Sequence, residues 1–172
     1  FDGGFANYLA QPLLRLLDLT RPGALGMPFP LGPVVDGRTL PANAFDPTAT
    51  RISEDIPLII GSTETEVTWS AQQQYDPLTD NELRDRLVQT LRVNTAGADK
   101  VIAVYKKNRP MASNLDVYLL AATDDSNFRK GTDTQGLRKA ELGKAPVYKY
   151  YFQWYSPVRD GMLRSMHTMD IG

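Results

Sequence analysis

The stretch IPLIIGSTETEVTW, Ile56 to Trp69, constrains this chain more than any other. Ile56 to Ile60 is an unbroken apolar run that stops at Gly61 and opens into a polar turn. Successive strand residues point to opposite faces, so an unbroken apolar strand needs cover on both, as in the interior of a parallel sheet. A second run, APVYKYYFQWY (Ala145–Tyr155), is dense in aromatic and β-branched residues and also reads as a strand.

Helical signals lie between the two runs. Thr79 followed by Glu82 forms a capping box, and Leu83, Leu87 and Leu91 make one apolar stripe. A second helix is expected over Ala98–Lys107, stopping before Pro110. Ser113 caps a third that carries Leu115, Leu119 and Leu120, and a fourth covers Thr134–Leu142. Strand, helices, strand is the order of a parallel α/β layer. Upstream, NYLAQPLLRLLDLT (Asn7–Thr20) has an amphipathic helical pattern interrupted at Pro12. The stretch to Pro47 is rich in Pro and Gly and reads as irregular, apart from a very short strand at PVVDG (Pro33–Gly37).

Two strands cannot make a stable parallel sheet alone, because each leaves an open edge and an uncovered face. Phe1 is not an initiator, and no signal-like segment follows it. The expectation is that residues 1–172 form the C-terminal segment of a single larger α/β domain.

Composition narrows the chemistry. Nineteen basic residues against twenty acidic ones leave a net charge of −1, which gives no electrostatic case for nucleic acid or an anionic membrane. No apolar run is long enough to span a bilayer. With no cysteine, thiol nucleophiles, disulfides and thiolate metal sites are excluded, and the single histidine, His167, excludes polyhistidine zinc sites. No metal or other cofactor is expected. GLRKAELGKA (Gly136–Ala145) is not a phosphate loop, because its glycine spacing is wrong and Ala145 stands where a magnesium-binding hydroxyl belongs.

Three blocks, PVVDGRTLPANAFDP, DIPLIIGSTETEVTW and PVYKYYFQWYSPVRDGMLRSMHTMDI, together resemble the type B carboxylesterases, the α/β-hydrolase branch that includes the cholinesterases. The resemblance runs from about Met27 to Ile171. It implies the C-terminal part of an α/β-hydrolase fold, a mostly parallel sheet flanked by helices, and a serine esterase acting on small-molecule esters. Glu66 falls at the family's triad glutamate, at the end of a Gly-x-x-x-x-Glu turn starting at Gly61. His167 falls at the triad histidine, and Asp170 at an acidic position three residues later, read as structural support or a helix-start cap. Met27, Phe29 and Leu31 precede PVVDG where relatives shape the acyl pocket; ordinary loop packing is an equal alternative. Val67 stands where many relatives have glycine, and Gly172 where a proline is expected.

The chemistry agrees with those two positions. A serine hydroxyl needs an imidazole to take its proton, and the imidazole needs a carboxylate on its other nitrogen. The third part is missing, since no Gly-x-Ser-x-Gly and no oxyanion-type glycine run occurs in the chain. The resemblance implies that both lie upstream, so an N-terminal portion of the same protein is the expected partner and the segment alone is expected to be inactive. The alternative is a non-catalytic carboxylesterase-like binding or adhesion protein, which needs neither Glu66 nor His167. The remaining candidates have plainer readings: Glu64 as an exposed turn carboxylate, Trp69 and Trp154 as core, and YKKNR (Tyr105–Arg109) as a solvated helix end.

Overall fold

The apolar run before Gly61 becomes strand β1 (Leu58–Thr63), and it pairs in parallel with β2 (Val147–Phe152). The computed structural model describes residues 34–69 and 77–171. The register runs from Leu58 opposite Val147 to Thr63 opposite Phe152. The chain belongs to two compact units, 1–42 and 43–172.

In the first unit, the expected strand at PVVDG is not formed among the described residues. The Asp36 carboxylate accepts the backbone N–H groups of Arg38, Thr39 and Leu40 at 2.8–2.9 Å and folds the segment into a turn. A short side chain that satisfies three successive amides competes directly with a strand ladder. Those three bonds also hold the Asp36 carboxyl below the usual carboxylate range, the Arg38 amide first. The expected helix at Asn7–Thr20 and the positions of Met27, Phe29 and Leu31 lie outside the described residues.

In the second unit, four helices among the described residues lie between the strands: α1 (Asp80–Leu91), α2 (Thr95–Asn108), α3 (Asn114–Asp125) and α4 (Asn127–Glu141). Their starts are set by side chains. Thr79 and Glu82 complete a capping box at α1, Asn94 caps α2, Ser113 and Asp116 form a second box at α3, and Ser126 caps α4. The fourth helix begins seven residues before the expected Thr134, because Ser126 supplies a cap that the polar stretch after it hides from hydrophobic periodicity.

Leu83, Leu87, Ala98, Val117 and Ala121 form one buried core between α1, α2 and α3. Leu78, Leu115 and Leu119 form a second, with Val67 packed against it, so the turn after β1 rests on the helical layer. On the sheet, a Cβ at Gly136 of α4 would lie 3.4 Å from Ile60 Cγ2, which places that helix against one face of β1. The other face is open among the described residues: Ile59 is 72% exposed and its register partner Tyr148 is 58% exposed. Trp154, expected in the core, is likewise exposed. No helix among the described residues is long and apolar enough to cross a membrane.

Candidate active site

The end of β1 and the loop after β2 meet side by side. Beyond the paired strands, Glu64 N–H donates to Phe152 O at 2.8 Å and Thr65 N–H to Ser165 O at 3.1 Å, with an isolated parallel bridge between Thr65 and Met166. The Ser165 hydroxyl donates back to Phe152 O at 2.9 Å. These bonds extend the parallel pairing past the sheet and bring Glu66 and His167 to one edge.

Glu66 opens a short 3₁₀ turn, Glu66–Trp69. Its carboxylate folds back so that Oε1 accepts Thr63 N–H at 2.7 Å, while Oε2 lies 2.6 Å from His167 Nδ1. The Glu66 side chain is 6% exposed and that of His167 33%. An ionised carboxylate only accepts, so Nδ1 carries the proton toward Glu66 and the lone pair of the neutral imidazole sits on Nε2. Phe128, in the first turn of α4, packs against the imidazole with ring centroids 4.5 Å apart.

Arg164 ties down the histidine loop. Arg164 Nε donates to Asp116 Oδ1 at 2.7 Å and Nη1 to Met162 O at 3.0 Å, tying the loop to the α3 capping box. Burial opposes ionisation of Asp116, but Ser113 and Arg164 outweigh it and hold the carboxyl below its ordinary range. Arg159, Asp160, Arg164 and Thr168 all have positive φ, a conformation that non-glycine residues adopt only when their surroundings enforce it.

The Asp170 Oδ2 accepts the Tyr150 hydroxyl at 2.5 Å. That hydrogen bond, with burial second, pushes the Tyr150 phenol up to about 12. Tyr150 lies over Gly61, where an added Cβ would fall 2.4 Å from Tyr150 O and 2.5 Å from its Cγ. The glycine that ends the apolar run therefore makes room for the tyrosine that reaches the histidine loop.

The structure corrects the reading of Glu64. It is 2% exposed, and Oε1 meets Arg109 Nη2 at 2.6 Å, Gln153 Nε2 at 3.0 Å and, more distantly, the Tyr151 hydroxyl at 3.4 Å. Burial alone would raise its pKa; hydrogen bonds from Gln153 and Tyr155 and the Arg109 guanidinium together hold it below the usual carboxylate range. Arg109 is accordingly not a solvated helix end but the counter-ion of this group. Nothing local in ETE or YKKNR signals the pairing, which exists only once α2 is packed. A cavity of about 430 Å³ lined by Asn43, Phe45, Lys130 and Arg138 among others lies elsewhere on the unit, and neither Glu66 nor His167 lines it.

A parallel strand pair flanked by helices, with an acid after one strand and an imidazole after the next, is an α/β-hydrolase arrangement. The sequence model of the carboxylesterase family matches residues 10–172, nearly the whole chain, and the protein belongs to that family of ester hydrolases. No curated protein matches the chain.

Proposed function

We propose that this chain is the C-terminal segment of a serine carboxylesterase and supplies the acid, Glu66, and the histidine, His167, of a Ser-Glu-His triad whose serine lies upstream. The observation that carries the reading is the 2.6 Å contact between Glu66 Oε2 and His167 Nδ1, with Oε1 already pinned by Thr63 N–H. A glutamate so fixed selects the tautomer in which Nε2 can accept a proton. As the serine oxygen bonds to the ester carbonyl carbon, Nε2 takes the hydroxyl proton and Glu66 stabilises the imidazolium. The carbon–alkoxy bond then breaks and the imidazolium returns that proton to the departing alcohol. Water repeats the sequence on the acyl-enzyme, releasing the acid. A relative that only binds partners has no use for either side chain in this geometry.

Among the described residues one face of β1 and β2 is open, and this supports the segment reading, since Ile59 and Tyr148 are the residues a covering layer would bury. The test is hydrolysis of p-nitrophenyl acetate by the complete protein, beside a His167→Ala variant and the 172-residue chain alone. Burst-phase turnover is expected only from the unmodified complete protein. Turnover with a burst by the 172-residue chain would overturn the assignment of the nucleophile upstream.

A further inference from the structure

Two carboxylates leave the turn after β1, and the fold treats them differently. Glu66 faces an imidazole, which changes charge; Glu64 faces a guanidinium, which does not. A buried ion pair is a weak stabilising device, because desolvation consumes most of the Coulomb gain. Its position is therefore more informative than its strength. Glu64 and Glu66 are separated by a single residue, so their backbones lie within about 7 Å. A bare negative charge at that range acts on His167 as well as on its own surroundings.

Taking Glu66 and His167 as triad members, we propose that Glu64 and Arg109 are a positioning pair. Arg109 cancels the charge of Glu64 so that the imidazole responds to Glu66 alone, and the pair anchors the turn that presents Glu66. The anchoring is geometric. Glu64 is tied through its backbone to Phe152, through its side chain to Gln153, and through Arg109 to the end of α2. The other charged and titratable groups facing the pair are Tyr151 and Tyr155, both raised by burial first. Behind Tyr151 stands Arg129 of α4, its guanidinium 4.2 Å from the ring centroid and its Nη2 on Thr63 O at 2.8 Å, and behind Arg129 stands Asp124 at 3.8 Å. Asp116 acts on Tyr155 through space. None of these residues is itself replaced in the variants below, and Tyr151 and Tyr155 change only in losing Glu64 or Arg109 as a charged neighbour.

The sign follows from charge. Arg109→Met leaves the Glu64 anion uncompensated, which favours imidazolium, so the base form appears only at higher pH. Glu64→Gln leaves the Arg109 cation uncompensated, which disfavours imidazolium and moves the same ionisation to lower pH. In the complete protein the acidic limb of kcat/KM should move up in Arg109→Met and down in Glu64→Gln, each by about half to one pH unit. The double variant should return to the parent position, and Arg109→Lys should stay there. A purely structural pair would lower activity without opposite displacements.

Limbs that stay in place, move in the same direction in both single variants, or fail to return in the double variant would overturn the proposal. Should Arg109→Met not fold, the isosteric Glu64→Gln decides alone, and an unmoved limb there rejects the pair. NMR titration of the His167 imidazole in the same proteins separates the two readings. If the parent hydrolyses no ester, the esterase reading falls, while opposite displacements of the imidazole titration still support the pair and equal ones reject it.

Discussion

Nδ1 of His167 stands 2.6 Å from Oε2 of Glu66 although 101 residues separate them in the chain. Two pieces of backbone meet there, the turn leaving β1 and the loop leaving β2, and backbone hydrogen bonding joins them beside the side-chain contact. Thr65 N–H on Ser165 O sets their spacing, and Thr63 N–H sets the Glu66 rotamer. A contact prepared this way costs little ordering entropy when the imidazole gains charge, which is what preorganisation supplies in a triad.

Replacing His167 by alanine in the complete protein should lower turnover by roughly four to six orders of magnitude. Folding stability should fall by only about 1–2 kcal/mol, since Glu66 loses one of two partners and Phe128 one packing surface. Esterase assays and thermal melts on the same preparation check both parts; a variant that keeps a tenth of the activity would end the assignment.

Glu66→Gln should be nearly as damaging, for a reason visible in the hydrogen bonds. The carboxylate accepts twice, from Thr63 N–H and from Nδ1–H, but an amide has one acceptor oxygen. If that oxygen stays on Thr63, the NH₂ group faces Nδ1 and forces the tautomer that carries its proton on Nε2, unable to take one from serine. The expected loss in kcat is up to about ten-thousandfold, with a melting temperature within a few degrees of the parent. Kinetics and a melting curve on the purified variant measure it; a loss below tenfold would show that Glu66 does not set the tautomer.

What the sequence disclosed and what it hid divide along the range of the interactions. The capping box at Thr79 and the cap at Ser113 are local signals, and both form, the second as a box completed by Asp116. The β1 and β2 runs are also local, and their parallel pairing follows from the helices between them. The meeting of Glu66 with His167 was legible only through a family resemblance, because no spacing rule joins the ends of two strands. Glu64 with Arg109 and Arg164 with Asp116 were not legible at all, since each pair is made by tertiary packing of segments with unremarkable composition. At PVVDG the apolar pair Val34–Val35 suggested a strand, but three amides on one aspartate outweighed it.

Gly61→Ala should be disproportionately harmful for a single methyl group. The added Cβ would meet the backbone oxygen and ring of Tyr150, neither of which can rotate away without disturbing β2. Such overpacking costs typically about 1–3 kcal/mol. Because Tyr150 also holds Asp170 beside the histidine loop, activity should fall together with stability. Denaturant melts and esterase rates are the readouts; an alanine variant with parental stability would mean the strands can part without cost.

The last prediction concerns acid. Glu64 and Asp116 are both partly or fully buried, and in each the hydrogen bonds and the arginine partner outweigh the burial that would otherwise raise the carboxyl. Their folded pKa values therefore lie below the unfolded ones, near 4 for model carboxylates. A group depressed on folding contributes stability that is fully present above its unfolded pKa and is lost as pH falls through its folded value. The unfolding free energy of the complete protein should thus be insensitive to these two groups between about pH 7 and 5 and should drop below about pH 4. Replacing both by their amides should flatten that acidic slope while lowering stability at neutral pH, because the amides cannot compensate Arg109 and Arg164. Urea melts from pH 3 to 7 on the parent and on Glu64→Gln/Asp116→Asn provide the comparison. An unchanged acidic slope in the double variant would show that other carboxyls carry the acid sensitivity.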